Sequence, residues 1–189
     1  MAKRGMIKAV LDACVLYPAP VRDILLSFAD EGLYQPRWTV QIQEEWIKNL
    51  LVNRPDLNHT QLKKLTKMMD TAFPDANVHE YKPWIEKIEL PDTDDRHVVA
   101  AGIESGSDLI LTFNLKDFPF NQLKGFGIAA RHPDDFLVDL FDREGSKGYY
   151  AFEKQLKRLK NPSLDPAQLL HILRKAGLPR TATILENVR

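Results

Sequence analysis

Short apolar runs alternate along the chain with longer stretches whose apolar residues recur every three or four positions, the pattern of strands followed by amphipathic helices. Residues 7–11 predict a buried strand, and Val21 to Ala29 a helix with Ile24, Leu25 and Phe28 on one face, stopped at Gly32. Thr39 stands where an N-cap is needed for a helix through Leu51, with Val40, Trp46, Ile47, Leu50 and Leu51 apolar and Pro55 marking its end. Asn58 or Thr60 opens another helix that reaches Phe73 and closes at Pro74. The stretch from Asn77 to Ile88 keeps no single period and has room for a short strand around Val78.

Asp94 to Ser105 is the clearest helix, with Val98, Val99, Ala101, Gly102 and Ile103 as its apolar face and Gly106 as its stop. Leu109 to Thr112 then reads as a continuous apolar strand of the kind covered on both faces in a parallel sheet. Residues 127–130 fit a further short edge strand. A helical region begins at Pro133 and runs to Phe141, Gly145-Ser146-Lys147-Gly148 interrupts it, and helices follow over Tyr149–Lys160, Pro166–Lys175 and Pro179–Asn187. Alternation of strand and helix predicts an α/β domain with a parallel sheet over residues 1–142 and a helical extension over 143–189.

Composition adds little until it is divided. The 189 residues are 44% hydrophobic, enough for a buried core, and 26 basic side chains balance 26 acidic ones, so net charge gives no signal for nucleic acid or membrane. Residues 1–142 carry 16 Lys and Arg against 22 Asp and Glu, whereas 143–189 carry 10 against 4, an acidic body with a basic tail. The single cysteine, Cys14, has no partner for an internal disulfide, and its place after an apolar strand favours a small buried residue over a nucleophile. The basic start, Met1 to Met6, precedes an apolar run that ends at Asp12, too soon for a signal peptide, and no run of ~18 apolar residues occurs, so a cytoplasmic protein is expected.

The candidate chemistry lies at predicted strand ends. Asp12 follows the first strand, Asp117 sits five residues beyond Thr112, and Asp92, Asp94 and Asp95 open the helix between them. Ligands of open α/β sheets bind outside the carboxyl ends of the strands. Carboxylates crowded there repel one another unless a cation sits among them, and a divalent metal is the simplest one. Asp95 precedes Val98 and Val99 by three and four residues, which puts it on the sheet-facing side near Asp12, whereas Asp92 and Asp94 read first as helix caps. Thr112, Asn114 and Asp117 add oxygen donors suited to Mg²⁺ or Mn²⁺. Glu45, one turn after Ile42, leans toward the same pocket, while Glu44 faces solvent. His97 reads as structural before it reads as a substrate contact. No phosphate-binding glycine loop, Cys pair or zinc-spaced His pair is present.

Taken in order, these residues resemble the PIN domains, and among them the VapC-type ribonuclease toxins of bacterial toxin–antitoxin pairs. Residues 11–18 resemble the family's opening motif, Thr39 to Glu45 the stretch with its second acid, Asp92 to Gly102 the third motif with Asp95 at the metal position, and Thr112 to Phe118 the fourth. Residues 6–140 carry the likeness. Asn114 stands where many members have Asp, and Cys14 where many have Asn.

The resemblance implies a three-layer α/β/α sandwich and a Mg²⁺- or Mn²⁺-dependent endoribonuclease. Asp12, Glu45, Asp95 and Asp117 would hold the metal and serve as the catalytic set, with Asn114 as a further ligand and Arg96, Lys116 and Thr112 toward substrate. It also implies an RNA substrate, a cognate antitoxin protein with a DNA-binding domain, and the option of a homodimer. Three alternatives remain open from sequence: a PIN nuclease of RNA processing without antitoxin, a phosphoryl-accepting receiver domain, and a catalytically inactive interaction module. The cationic Lys154, Lys157, Arg158 and Lys160 are either an RNA- or partner-binding surface or the wet face of a helix.

Overall fold

The structure, a computed structural model, describes residues 5–160 and 163–188. The basic start at residues 1–4 lies outside that range. Four short strands, β1 (Lys8–Leu11), β2 (Gln35–Arg37), β3 (Leu109–Leu111) and β4 (Ala129–Arg131), form one parallel sheet in the order β2-β1-β3-β4. Ten helices surround it among the described residues: α1 (Ala13–Leu16), α2 (Ala19–Asp30), α3 (Val40–Asn53), α4 (His59–Ala72), α5 (Lys82–Ile85), α6 (Arg96–Ser105), α7 (Phe120–Leu123), α8 (Pro133–Arg158), α9 (Pro166–Lys175) and α10 (Pro179–Asn187). This is the α/β sandwich of PIN type with C-terminal helices that the sequence predicts.

The middle strands are apolar because both of their faces are covered: Ala9, Val10, Leu11, Ile110 and Leu111 are fully buried. β2 was not foreseen. Its Gln35-Pro36-Arg37 is polar, short and interrupted by proline, which only an edge strand tolerates; Pro36 pairs with Ala9 of β1 on its one bonded side. The strand expected near Val78 is reduced to one parallel bridge, in which Val78 N–H donates to the Trp38 carbonyl at 2.7 Å. The Thr39 hydroxyl accepts from Ile42 N–H at 3.1 Å and Asn58 Oδ1 from Thr60 N–H at 2.7 Å, so α3 and α4 begin at the expected caps.

Helix α6 lies close on the sheet because residue 102 is glycine: a Cβ there would come within 2.9 Å of Ile128 Cδ1 and 3.7 Å of Val10. That approach brings the N-terminal end of α6 beside the end of β1. The interruption expected at residues 145–148 is instead a kink at Glu144 (φ −142°, ψ 46°), with helix on both sides. Gly148 follows it, where a Cβ would meet the Phe141 ring at 2.7 Å. Both halves of α8 pack on α2. Phe141 packs edge-on against Phe28 of α2 at 5.3 Å, and Gln155 Nε2 donates to the Pro20 carbonyl at 3.2 Å. At the head of α8, buried Asp134 accepts from Arg180 N–H, Thr181 N–H and the Thr181 hydroxyl, holding α10 by its first turn. The helices beyond the kink therefore share one apolar core with the sheet.

Candidate active site

The central strands β1 and β3 end side by side, where Asp12 N–H donates to the Leu111 carbonyl at 3.1 Å. Asp12 follows β1 and Thr112 follows β3, so their side chains meet: the Thr112 hydroxyl donates to Asp12 Oδ2 at 2.8 Å, and the Cys14 thiol donates to the same oxygen at 3.0 Å. Thr112 is fully buried, and its oxygen also accepts from Asn114 N–H at 2.9 Å. It was expected to reach substrate. Its depth makes it instead a holder of Asp12 and of the turn after β3. Cys14 in turn accepts from Phe113 N–H at 3.2 Å. Burial, and then the charge of Asp12, push its thiol up to about 12, which leaves it a hydrogen-bond donor and no nucleophile.

Glu45 projects from the first half of α3. His97, buried on α6, brings Nε2 to 2.9 Å from Glu45 Oε1, and Gln41 Nε2 donates to the same oxygen at 3.3 Å. Nδ1 of His97 has no hydrogen-bond partner among the described residues. The structural reading of His97 stands, with a specific task that its position in the sequence did not reveal.

Asp95 is the N-cap residue of α6 but makes no side-chain capping bond; helix α6 starts at Arg96, two residues later than the pattern suggested. Asp92, expected as a cap, instead closes a turn ahead of the helix, its Oδ1 accepting from Asp94 N–H at 2.9 Å. Asp95 is thus left free. Its carboxyl is raised from 3.8 to about 6, first by partial burial and then by the charges of Asp12, Asp92 and Asp117, with His97 acting weakly the other way. Asp12, Glu45, Asp95 and Asn114 line one open cavity of about 470 Å³, together with Ala13, Cys14, Tyr17, Asn49 and Asn53. Asp117 lies in a 3₁₀ turn (Leu115–Asp117) and is bonded by the Asn114 amide, so it adds its charge from just outside the lining.

Of the expected substrate contacts, Lys116 is exposed in that same turn, while Arg96 is half-buried and donates through Nε to the Thr93 carbonyl at 3.0 Å. Neither lines the cavity. Tyr17, Asn49 and Asn53 were not singled out from the sequence, although Asn49 and Asn53 follow Glu45 at the four-residue spacing that puts side chains on one helix face. In the basic tail, Lys154 pairs with Asp30 at 2.9 Å and with Glu31 at 2.6 Å, and Arg158 pairs with Asp30 at 2.9 Å. Two of the four tail cations are therefore engaged with the end of α2.

Asp12, Glu45, Asp95 and Asn114 bring oxygen donors to the cavity, beside a Cys14 thiol that is engaged with Asp12, and oxygen is the donor that Mg²⁺ and Mn²⁺ take. Among the described residues, no three His, Cys, Asp or Glu side chains converge closely enough to enclose a bare ion.

Comparison with known proteins reaches the chain from its other end. Residues 133–187, which are α8 to α10, match the family described as "VapC50 C-terminal domain". A curated protein named "Putative ribonuclease VapC50", from Mycobacterium tuberculosis (strain ATCC 25618 / H37Rv), is 52% identical over 48 residues, 25% of this chain and 28% of that protein. The match thus spans little more than a quarter of the relative's length. No solved structure matches the chain. The family match covers the helices of residues 133–187, and the ordered acids of residues 6–140 lie outside it. Among the described residues no helix is long and apolar enough to cross a membrane.

Proposed function

We propose that the chain is a Mg²⁺- or Mn²⁺-dependent endoribonuclease, the toxin of a type II toxin–antitoxin pair, acting at the cavity between α1, α3 and α6. The observation that carries this reading is the gathering of Asp12, Glu45, Asp95 and Asn114 around one open cavity, with Asp95 raised to about 6 by partial burial and then by its acidic neighbours. Carboxylates gathered around one open cavity favour a cation there. The VapC50-type helices support the same class of protein.

In this reading Asp12, Glu45 and Asp95 hold the ion directly or through its waters, and Asn114 and Asp117 flank it. A cation held there would supply a water of lowered pKa for in-line attack on a phosphodiester and would offset charge on the phosphate. Thr112 and Cys14 fix the Asp12 carboxylate from behind, so that it needs no reorganisation when substrate arrives. Tyr17, Asn49 and Asn53 offer the nucleotide an aromatic face and uncharged amides beside the acids, and exposed Lys116 offers the backbone a cation. The partner would be an antitoxin that covers this cavity and carries a DNA-binding domain.

The test incubates purified protein and its Asp95→Asn variant with structured and unstructured RNAs, with Mn²⁺ or with a chelator, and maps the cleaved ends. Metal-dependent cleavage by the protein and its loss in the variant are expected. An active Asp95→Asn variant, or cleavage that persists in chelator, would overturn the assignment. Growth arrest on expression, relieved by a neighbouring gene, checks the toxin role.

A further inference from the structure

Glu45 presents its two oxygens to different surroundings. Oε1 receives two protein donors, His97 Nε2 at 2.9 Å and Gln41 Nε2 at 3.3 Å, from two different helices. Gln41 is itself oriented, because the Tyr81 hydroxyl donates to its Oε1 at 3.2 Å, which turns the amide nitrogen toward Glu45. Tyr81 is buried, and the residue before it, Glu80, is the one non-glycine among the described residues with positive φ, at 56°. A glutamate held in that region marks a backbone fixed by its surroundings. His97 is buried and Nδ1 has no partner among the described residues, so the ring's engaged atom is Nε2. Asp12 repeats the scheme: its Oδ2 takes the Thr112 and Cys14 donors.

We infer that His97 and Gln41, the latter steered by Tyr81, are positioning residues that clamp Oε1 of Glu45 and leave Oε2 as the single oxygen presented to a divalent cation. The inference rests on the reading of the cavity as a metal site, and assigns within it residues that touch neither cation nor RNA. Partners that orient a ligating side chain typically change metal affinity by about 10- to 100-fold when removed. The clamp fixes the carboxylate as a one-oxygen ligand, so the ion keeps waters on its remaining positions, the arrangement that Mg²⁺ favours.

The experiment measures Mn²⁺ affinity of the full chain by the electron paramagnetic resonance signal of free Mn²⁺, without RNA, for the wild type and for Glu45→Gln, His97→Leu, His97→Gln, Gln41→Leu and Tyr81→Phe. Thermal melting accompanies each titration. His97→Leu should raise Kd about tenfold or more, Gln41→Leu several-fold and Tyr81→Phe less, while His97→Gln, whose amide nitrogen replaces Nε2, should recover most of the loss. A general loss of packing would weaken both His97 variants alike and would not follow the order of the relay. If His97→Leu does not fold, the Gln41 and Tyr81 variants, which alter less-buried groups, carry the test. Unchanged Kd in folded Gln41→Leu and His97→Leu, with Glu45→Gln clearly weakened, would overturn the clamp and leave the metal site standing. Absence of Mn²⁺ binding by the wild type, or full affinity in Glu45→Gln, would overturn both.

Discussion

Asp95→Asn should make the metal-free protein more stable, in a manner that depends on pH. The Asp95 carboxyl is raised from 3.8 to about 6 in the folded chain. Below pH ~4 the group is protonated whether the chain is folded or not, and it costs nothing. Between pH ~4 and ~6 the folded chain binds the proton and the unfolded chain releases it, so stability falls as pH rises. Above pH ~6 the full cost is present. A shift of this size corresponds to ~3 kcal/mol, and because Asp95 is only partly buried, solvent screening reduces the expected cost to about 1–2 kcal/mol. Asparagine keeps the shape, removes the charge and forfeits no side-chain cap, since Asp95 makes none. In chelator at pH 7.5, scanning calorimetry should place the variant's Tm ~3–6 °C above the wild type, and the gap should close near pH 4. Mn²⁺ should then reverse the order by stabilising the wild type more. A variant no more stable at pH 7.5, or a gap of the same size at pH 4, would refute the claim that burial and acidic crowding raise Asp95.

Other outcomes follow from the packing. Gly148→Ala should destabilise by about 1–2 kcal/mol in urea unfolding despite alanine's higher helix propensity, because the new methyl meets the Phe141 ring; a more stable variant would contradict that contact. Asp134→Ala removes the acceptor for Arg180 N–H, Thr181 N–H and the Thr181 hydroxyl, and should cost about 2–4 kcal/mol, with faster hydrogen exchange concentrated in α10. Cys14, its thiol pushed up to about 12, should resist a disulfide reagent at pH 8 in the native protein and react promptly in denaturant; rapid native labelling would show that its environment is misread.

Much of the framework is legible in the sequence because each signal is local. The apolar runs of β1 and β3, the caps at Thr39 and Asn58, and the stop at Gly106 depend on neighbours a few residues away. Strand β2 is not legible, since Gln35-Pro36-Arg37 becomes a strand only through the one-sided edge offered by β1. The site divides in the same way. Asp12, Asp95 and Glu45 could be brought together by asking where strand ends and helix faces point. The donors behind them could not: Thr112 was read as a substrate contact because its burial is a tertiary fact, and the meeting of His97 with Glu45 depends on where the sheet sets α6 relative to α3. Asn49 and Asn53 were within reach of the helical period and went unnoticed because amides carry little chemical signal alone.

The kinked helix α8 also sets an order of events during synthesis. Helix α2, made early, keeps Phe28 and the Pro20 carbonyl waiting for Phe141 and Gln155, which leave the ribosome more than a hundred residues later. Helix α10, later still, is latched by Asp134. The apolar face of α2 that Phe141 covers therefore stays open on a nascent chain until translation has reached the kink.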